Sequence, residues 1–274
     1  MVEMTTRPLL WYTYTTQTMY QLPLRKKILL EKRIGETPLQ TIDRFKASRP
    51  RYKDIRATYA GRLDPMASGK LLVLFGDECK KKDQYLGLDK QYDIEILLGA
   101  GSDTGDVLGI VESAAEVSVH KKQVEELFSK EVGTFERAYP AYSSKTVAGK
   151  PLFLYALEGT LDTIDIPTHK ETMYRIALKK IEHVDSSTLR QRITTLLSLT
   201  PTSTEESKVL GADFRIADVK NSWEQVLVHK RSYTVLSINV SCGSGAYMRT
   251  LAGRIGESLG TSALALSIHR SAIG

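Results

Sequence analysis

Hydrophobic and polar residues follow two different periods along this chain, and each period predicts one kind of element. Apolar residues alternate with polar ones over 90–99 and 233–242, as they do in strands with one buried face. The unbroken apolar run Leu71–Phe75 is typical of a fully buried strand, and 28–34 contains a further strand. The sequence therefore predicts a sheet whose strands come from distant parts of the chain.

A helical period appears between these strands. Thr37 is a good N-cap and Pro38 a good first residue for a helix, and the apolar residues Leu39, Ile42 and Phe45 recur at helical spacing. We predict further helices over 119–135, 189–199 and 216–228, and a last one that follows the glycine-rich segment 243–252 and ends near residue 260.

The composition excludes several classes of protein. With 274 residues, of which 42% are hydrophobic and 26% charged, the chain has the make-up of a globular protein of one or two domains. Two cysteines and five scattered histidines offer no disulfide framework and no common metal-ligand spacing, so we expect a reducing cytoplasm. No apolar run approaches the roughly 20 residues of a membrane span. A net charge of +6 favours a polyanionic partner.

The stretch 59–82 carries the strongest candidate chemistry. Gly61 and Gly69 bracket a tight loop, and Pro65 keeps Asp64 away from helical backbone angles. One carboxylate is therefore displayed at a rigid turn beside the apolar run. Taken alone, an Asp-Pro pair between glycines is more often a plain turn than a functional site.

This stretch nevertheless resembles the motif around the catalytic aspartate of TruB-type pseudouridine synthases. In that family Gly-x-Leu-Asp-Pro-x-Ala-(Ser/Thr)-Gly precedes a leucine-rich strand and Gly-(Asp/Glu)-x-(Thr/Cys)-Lys. The resemblance implies that Asp64 is the nucleophile of an RNA-modifying enzyme. The matching residues are Gly61, Leu63, Asp64, Pro65, Ala67, Ser68, Gly69, Gly76, Asp77, Cys79 and Lys80.

Two later segments extend the resemblance. A Lys-Gln-Tyr sequence matches the family's Lys-x-Tyr strand and implies that Tyr92 lies against the target base, although a tyrosine packed at the rim of a strand explains the residue equally well. The segment 242–251 resembles Cys-(Ser/Gly)-x-Gly-(Thr/Ala)-Tyr-(Ile/Met)-Arg-(Thr/Ser)-Leu, which implies that Arg249 pairs with Asp64 and that Tyr247 contacts the substrate. Alone, an arginine at a helix entrance is usually a surface charge.

Further candidate contacts with RNA follow from the same resemblance. The segment 139–152 is similar to the one that leads into the family's RNA-gripping thumb, which implies that Tyr142 and Lys145 bind RNA through stacking and phosphate contacts. Ile268 stands where the family has a leucine that lines the uracil pocket. The loop 102–109 resembles the family's Thr-Asp-Thr-x-Asp-x-x-Gly. It lacks the spacing of a calcium loop, so we expect a turn beside the site and no metal.

Some positions depart from the family pattern. Tyr59 stands where the family has a histidine that helps to turn the target nucleotide out of its stack, and we expect the tyrosine to stack on RNA instead. Arg62, inside the Asp64 motif, is a further candidate for substrate binding. Phe153 replaces a usual tyrosine and Leu157 a usual arginine, so part of the usual grip on RNA is expected to be missing or moved.

The resemblance implies an α+β fold in which helices and loops flank a central mixed, largely antiparallel sheet. It covers most of 28–274, which we interpret as one catalytic domain after an N-terminal extension over 1–27. The stretch 182–230 is longer than the family norm and is predicted to be an inserted subdomain. We expect no cofactor and no PUA domain, the small RNA-binding module that commonly follows in the family.

These inferences predict a monomeric tRNA pseudouridine synthase that binds the T-arm and modifies the T-loop uridine at position 55. Two alternatives remain open. The Gly-Arg-Leu-Asp sequence also resembles the loop of ribosomal RNA pseudouridine synthases, so the substrate can be another RNA, although 142–145 and 245–249 argue against that group. A non-catalytic tRNA-binding or tRNA-folding protein with this fold is the other alternative. The retention of Asp64, Tyr92 and Arg249 disfavours it, whereas the missing histidine and PUA domain keep it open.

Overall fold

A computed structural model describes residues 23–200 and 215–274 of the chain. Its strands build one large sheet and two small two-stranded sheets. Numbered along the chain, they are β1 (Lys27–Lys32), β2 (Ala57–Ala60), β3 (Ser68–Phe75), β4 (Lys90–Leu98), β5 (Ala100–Ser102), β6 (Val111–Ser113), β7 (Gly133–Ala138), β8 (Thr146–Val147), β9 (Lys150–Pro151), β10 (Thr168–Asp185), β11 (Ser232–Cys242) and β12 (Ala263–Ile273).

Helices cover the sheet and connect its strands. The first, α1 (Pro38–Ala47), begins as predicted: the Thr37 side chain accepts a hydrogen bond from the Gln40 N–H, and the Gln40 side chain accepts one from the Thr37 N–H. This capping box satisfies two backbone donors at the helix start. The other α-helices are α2 (Lys82–Leu86), α3 (Lys121–Glu131), α4 (Leu152–Glu158), α5 (Ser186–Ser198), α6 (Ile216–Val226) and α7 (Met248–Ser258).

The central sheet is mixed and largely antiparallel, which confirms the predicted α+β fold. Within the described residues its strands follow the order β1-β3-β12-β4-β11-β10-β7, and β2 also pairs with β3. Among these pairs only β12 and β3 run parallel, with His269 opposite Ser68 and Arg270 opposite Gly69. The pairing lays the last strand directly beside the end of the Asp64 loop.

Three clusters of buried apolar side chains stabilise the described part of the fold, and two of them, the main cluster and the small cluster, surround the elements that carry the candidate site. The main cluster joins β4, β11 and β12 to α3, α5, α6 and α7, and its members Ile96 and Leu236 are completely buried. The small cluster packs α1 and Tyr52 against β1 and β3. Because Trp223 of α6 belongs to the main cluster, helices of the predicted insertion share the core of the sheet. The boundaries of the insertion, 182–230, stay a prediction.

The predicted helix over 119–135 is wrong in its C-terminal part. Helix α3 ends at Glu131 and β7 begins at Gly133, so Phe135 lies on a strand. Gly133 has a φ of +134°, a backbone conformation that only glycine adopts readily and that no helix continues through. The N-terminal extension up to residue 22 and nearly all of the predicted loop over 200–207 lie outside the described residues.

Candidate active site

The loop that displays Asp64 connects the end of β2 to the start of β3. Gly61 and Gly69 have φ angles of +82° and +106°, the left-handed region that glycine tolerates, as their places at the two ends of the turn require. The Ala67 N–H donates to the Asp64 carbonyl at 3.0 Å and closes the turn. The Asp64 side chain keeps 37% of its surface exposed, so the carboxylate is open to a ligand.

Arg249 meets this carboxylate from the first turn of α7. Its Nε donates to Asp64 Oδ2 at 2.9 Å. The other two guanidinium nitrogens are also bonded, Nη1 to Thr104 O at 2.6 Å and Nη2 to Tyr142 O at 2.9 Å. Because Arg249 is only 5% exposed and three separate loops hold it, the carboxylate faces a positive charge of fixed orientation.

A second carboxylate shares this guanidinium. Asp106 Oδ2 lies 3.5 Å from Arg249 Nε, and Asp106 Oδ1 accepts hydrogen bonds from the Leu108 N–H and the Thr104 hydroxyl. Burial raises the pKa of Asp106 to about 6, against the opposing charge of Arg249. Burial alone lowers the pKa of Arg249, but the charges of Asp64 and Asp106 outweigh it, and the pKa rises above its ordinary value.

Arg270 holds both ends of the Asp64 loop. It lies on β12, is 1% exposed, and donates from Nε to Lys70 O at 2.7 Å. Its Nη1 and Nη2 donate to Arg62 O at 3.4 Å and to Gly61 O at 3.2 Å. In the sheet it lies opposite Tyr92 of β4. Burial raises the pKa of the Tyr92 hydroxyl, so this side chain is a neutral phenol at physiological pH.

Lys32 secures the same loop from β1. Its ammonium group donates to Ala67 O at 2.6 Å, to Arg33 O at 3.1 Å and to Pro65 O at 3.3 Å. Burial lowers the pKa of Lys32 to about 8, against the raising effect of Asp64. The backbone around the displayed carboxylate is therefore fixed by basic side chains from β1 and β12, two of the strands that pair with β3.

The structure brings several predicted site residues to this loop. Asp64 and Arg249 are in direct contact, and Tyr142 reaches Arg249 through its carbonyl group. Tyr92 and Ile268 are 7% and 5% exposed and lie on the paired strands β4 and β12. Arg62, in the loop itself, contributes its carbonyl to Arg270, as described above. The roles of these residues in a reaction stay predictions.

Tyr247 and Lys145 belong to a neighbouring aromatic cluster. Tyr139 stacks on His169 with ring centroids 4.2 Å apart, and Tyr247 meets the two rings edge-on at 6.2 Å and 5.7 Å. Lys145 Nζ lies 5.1 Å from the centre of the Tyr139 ring. Tyr247 directly precedes α7, so this cluster lies close to Arg249. Partly exposed rings with a nearby cation are the groups that stack on bases and meet phosphates.

Tyr59 lies on β2, just before the Asp64 loop. Its ring packs against the small apolar cluster, and Lys82 Nζ is 5.6 Å from the ring centre. Tyr59 is paired with Val73 in the sheet. Packing in this cluster explains the side chain by itself, and its role in stacking on RNA stays a prediction.

A cleft of about 430 Å³ opens beside Arg249. It is lined mainly by 101–105, 140–142 and one face of α7. Arg249 is among the lining residues and Asp64 is not, so the cleft lies next to the candidate site.

In the two described stretches, 23–200 and 215–274, no group of three or more His, Cys, Asp or Glu side chains is arranged to hold a metal ion. No helix in the described part of the chain has the length and apolar character needed to span a membrane.

Sequence analysis missed three residues of this site. Arg270 carried a signal, because it continues the alternate apolar positions Leu266 and Ile268, and a charged residue on a buried face of a strand needs partners. Lys32 follows Leu30 on β1 in the same way. Asp106 carried no such signal, because an aspartate in a glycine-containing turn fits plain turn chemistry.

Comparison with known proteins extends these observations. Residues 49–195, more than half of the chain, match the model of the TruB family pseudouridylate synthase (N terminal domain). A curated relative, tRNA pseudouridine synthase B of Cupriavidus taiwanensis, is 29% identical over 247 residues, which cover 90% of this chain and 62% of the relative. The protein of the same name from Azoarcus sp. is 30% identical over 250 residues, covering 90% of this chain and 64% of the relative. The chain thus spans less than two thirds of the length of these relatives.

The fold has a counterpart among solved structures. A chain in the crystal structure of a Cbf5-Nop10-Gar1 complex matches 90% of this chain and 48% of its own length, with a TM-score of 0.54 and 16% identity. At that identity the likeness shows a shared fold. The family itself is shown by the family model, which matches more than half of the chain. The chain belongs to the TruB family of pseudouridylate synthases.

Proposed function

We propose that this chain isomerises uridine to pseudouridine at position 55 in the T-loop of tRNA, with Asp64 as the nucleophile. The observation that carries the proposal is one ion pair, in which a partly exposed carboxylate lies 2.9 Å from the buried guanidinium of Arg249. Membership of the TruB family supports the reaction, and relatives named tRNA pseudouridine synthase B support tRNA as substrate. The position within tRNA rests on the resemblance of the Asp64 motif.

Pseudouridine formation rearranges one nucleotide without gain or loss of atoms. The bond between ribose C1′ and uracil N1 breaks, the base turns, and a bond forms between C1′ and C5. The proton at C5 leaves, and N1 gains a proton. Ionised Asp64 serves this sequence either by covalent attack on the nucleotide or by taking a proton. Arg249 orients the carboxylate and balances its charge.

The target nucleotide has to leave its stack to reach the carboxylate, at a cost of a few kcal/mol. Tyr92 and Ile268 are proposed to flank the extruded uracil, which their adjacent strands support. Tyr142, Lys145 and Tyr247 are proposed to hold the surrounding RNA through stacking and phosphate contacts. The net charge of +6 favours the same partner.

The test uses an unmodified T-arm stem-loop RNA and maps pseudouridine after incubation with the full chain. The wild-type protein should convert the T-loop uridine, and Asp64→Asn should bind the RNA without converting it. Asp77→Asn is a matched control, because Asp77 belongs to the same motif and pairs with Lys80 at 2.9 Å but is 87% exposed. It should convert at the wild-type rate. Conversion by Asp64→Asn at that rate would contradict the proposal.

A second candidate function is RNA binding without chemistry. The packing of Tyr59 against the small cluster favours it, because the family histidine at this position helps to turn out the nucleotide. Binding of the T-arm RNA by the wild-type protein without conversion would support this candidate. If the protein converts a ribosomal RNA fragment and not the T-arm RNA, the proposed reaction stands and the proposed substrate is wrong.

We also propose an organisation for the chain: one catalytic domain over 28–274, with an insertion at about 182–230, acting as a monomer in the cytoplasm. The packing of α5 and α6 on the main cluster supports a single domain. Light scattering of the purified chain, with and without the T-arm RNA, measures the proposed monomer directly.

A further inference from the structure

An arginine from the predicted insertion touches two of the three loops that hold Arg249. Arg215, the residue before α6, places Nη1 2.6 Å from Asp103 Oδ2. Its guanidinium group also lies 5.1 Å from the centre of the Tyr142 ring. The Tyr142 hydroxyl donates to the same Asp103 oxygen at 2.9 Å. Side chains from three separate segments therefore meet at one carboxylate.

The same two loops supply the carbonyl groups that hold the outer nitrogens of Arg249. Nη2 of Arg249 donates to Tyr142 O, and Nη1 donates to the carbonyl of Thr104, the residue after Asp103. A shift of either loop would turn the guanidinium and move its Nε away from Asp64. A continuous series of direct contacts thus runs from the predicted insertion to the candidate nucleophile.

We propose that Arg215 is a positioning residue: it fixes the loops at Asp103 and Tyr142 and, through them, the Arg249–Asp64 pair. The proposal rests on the function proposed above and gives the predicted insertion a task in that reaction. The backbone supports it, because Arg215 has a φ of +50°, a conformation that costs energy for a residue other than glycine and is often kept at functional positions.

The Arg215–Asp103 pair has the geometry for this task and lies outside the buried apolar clusters. The side chains are 21% and 32% exposed, so water screens the pair only in part, and the charged hydrogen bond has a defined direction. Stacking of the planar guanidinium on Tyr142 adds a contact that a lysine cannot reproduce. Loss of the pair should therefore alter the loops and leave the core intact.

The first experiment measures conversion of the T-arm RNA under single-turnover conditions with saturating protein. Arg215→Gln should lower the rate constant about tenfold, because the reacting groups lose their alignment, and should leave the thermal midpoint nearly unchanged. Arg215→Lys should recover part of the rate. Arg190→Gln is the matched control and should react at the wild-type rate. Arg190 also belongs to the predicted insertion, but its Nη2 donates to Leu227 O at 2.8 Å and so links α5 to the end of α6.

A double-mutant cycle identifies the route of the effect. Arg215 is proposed to act through the Asp103 carboxylate, which also accepts the hydrogen bond of the Tyr142 hydroxyl. The double variant Arg215→Gln/Asp103→Asn should therefore be no slower than the slower of the two single variants. Additive losses in the double variant, or an Arg215→Gln rate within about twofold of wild type, would overturn the proposal.

A readout without activity separates this proposal from the proposed function. The Nε–H of Arg249 should exchange slowly with water in NMR spectra of the wild type and of Arg190→Gln, and faster in Arg215→Gln, because loosened loops release the guanidinium. If the wild type makes no pseudouridine but exchange accelerates in Arg215→Gln, the proposed function fails and the positioning role is supported. Equal exchange in all three proteins would overturn the positioning role, whatever the activity.

Discussion

Arg249 and Arg270 are both buried arginines that hold the Asp64 loop, but they do so with different partners. Arg249 lies within 3.5 Å of two carboxylates, those of Asp64 and Asp106, and also donates to two carbonyls. Arg270 donates to three backbone carbonyls at the two ends of the loop and pairs with no carboxylate among the described residues. The Arg249 guanidinium fixes the positions of charged side chains, and the Arg270 guanidinium fixes the position of the loop backbone.

This difference predicts separate effects at one loop: Arg249 should affect the proposed reaction, and Arg270 should affect the stability of the fold. Substitutions at Arg249 should act on the rate of reaction and on its response to pH, since they change the surroundings of ionisable groups. Substitutions at Arg270 should act mainly on the free energy of unfolding, since they remove the donor from three partly buried loop carbonyls. Four experiments test this division.

The largest effect is expected for Arg249→Lys. A lysine keeps the positive charge but has no planar fork to reach Asp64 and two carbonyls together. We expect the single-turnover rate of pseudouridine formation to fall by about 100- to 1000-fold. A fall of less than tenfold would mean that charge alone suffices at this position.

The next largest effect is expected for Arg270→Met, which fills a similar space without donors. The free energy of unfolding, measured by urea titration, should fall by about 3 kcal/mol, because three partly buried hydrogen bonds to loop carbonyls are lost. The rate per folded molecule should fall far less than for Arg249→Lys. A variant with wild-type stability and no activity would break the comparison.

The third effect is on the pH dependence of stability. Because the pKa of Asp106 rises from 3.8 to about 6 on folding, the folded chain binds more protons than the unfolded chain between these values. Stability therefore falls as pH rises through this range, by up to about 3 kcal/mol from this group. Asp106→Asn should remove that slope in urea titrations at about pH 4 and pH 7. Arg270→Met should retain the slope.

The smallest effect compares two glycines of the loop. A Cβ at Gly69 would lie 2.3 Å from the Arg270 carbonyl oxygen, whereas at Gly61 the nearest atom is Arg270 Nη1 at 3.5 Å. Both have positive φ, so both alanine variants bear backbone strain. Gly69→Ala should lose about 1 to 2 kcal/mol more stability than Gly61→Ala, measured by urea titration. Equal losses of stability would show that the β12 backbone moves away from the added methyl group at little cost.

Much of the fold followed from local patterns. Alternation predicted β4 and β11, and the cap at Thr37 predicted the start of α1, because each depends on neighbouring residues only. The break between Glu131 and Gly133 did not follow, because Phe135 fits the apolar positions of a helix as well as those of a strand. Periodicity cannot separate the two when a helix runs directly into a strand.

The site was predictable only where a motif names its residues. Asp64 and Arg249 stand in motifs, but the residues that complete their surroundings are fixed by distant contacts. Arg215 and Asp103 are 112 residues apart, and Arg249 and Thr104 are 145 apart. No local pattern records such pairs. Arg270 is the exception, because the alternation of buried and exposed positions along a strand reveals a charged residue on the buried face.

The parallel pairing of β12 with β3 has a consequence for synthesis of the protein on the ribosome. The Asp64 loop is made early, but its support from Arg270 comes about 200 residues later, with a sequence separation of 209 between Arg270 and Gly61. A nascent chain that stops before β12 has the proposed nucleophile without the Arg270 hydrogen bonds that hold its loop. Because contacts this distant form late in folding, the proposed catalytic competence should appear abruptly, once β12 has emerged and docked.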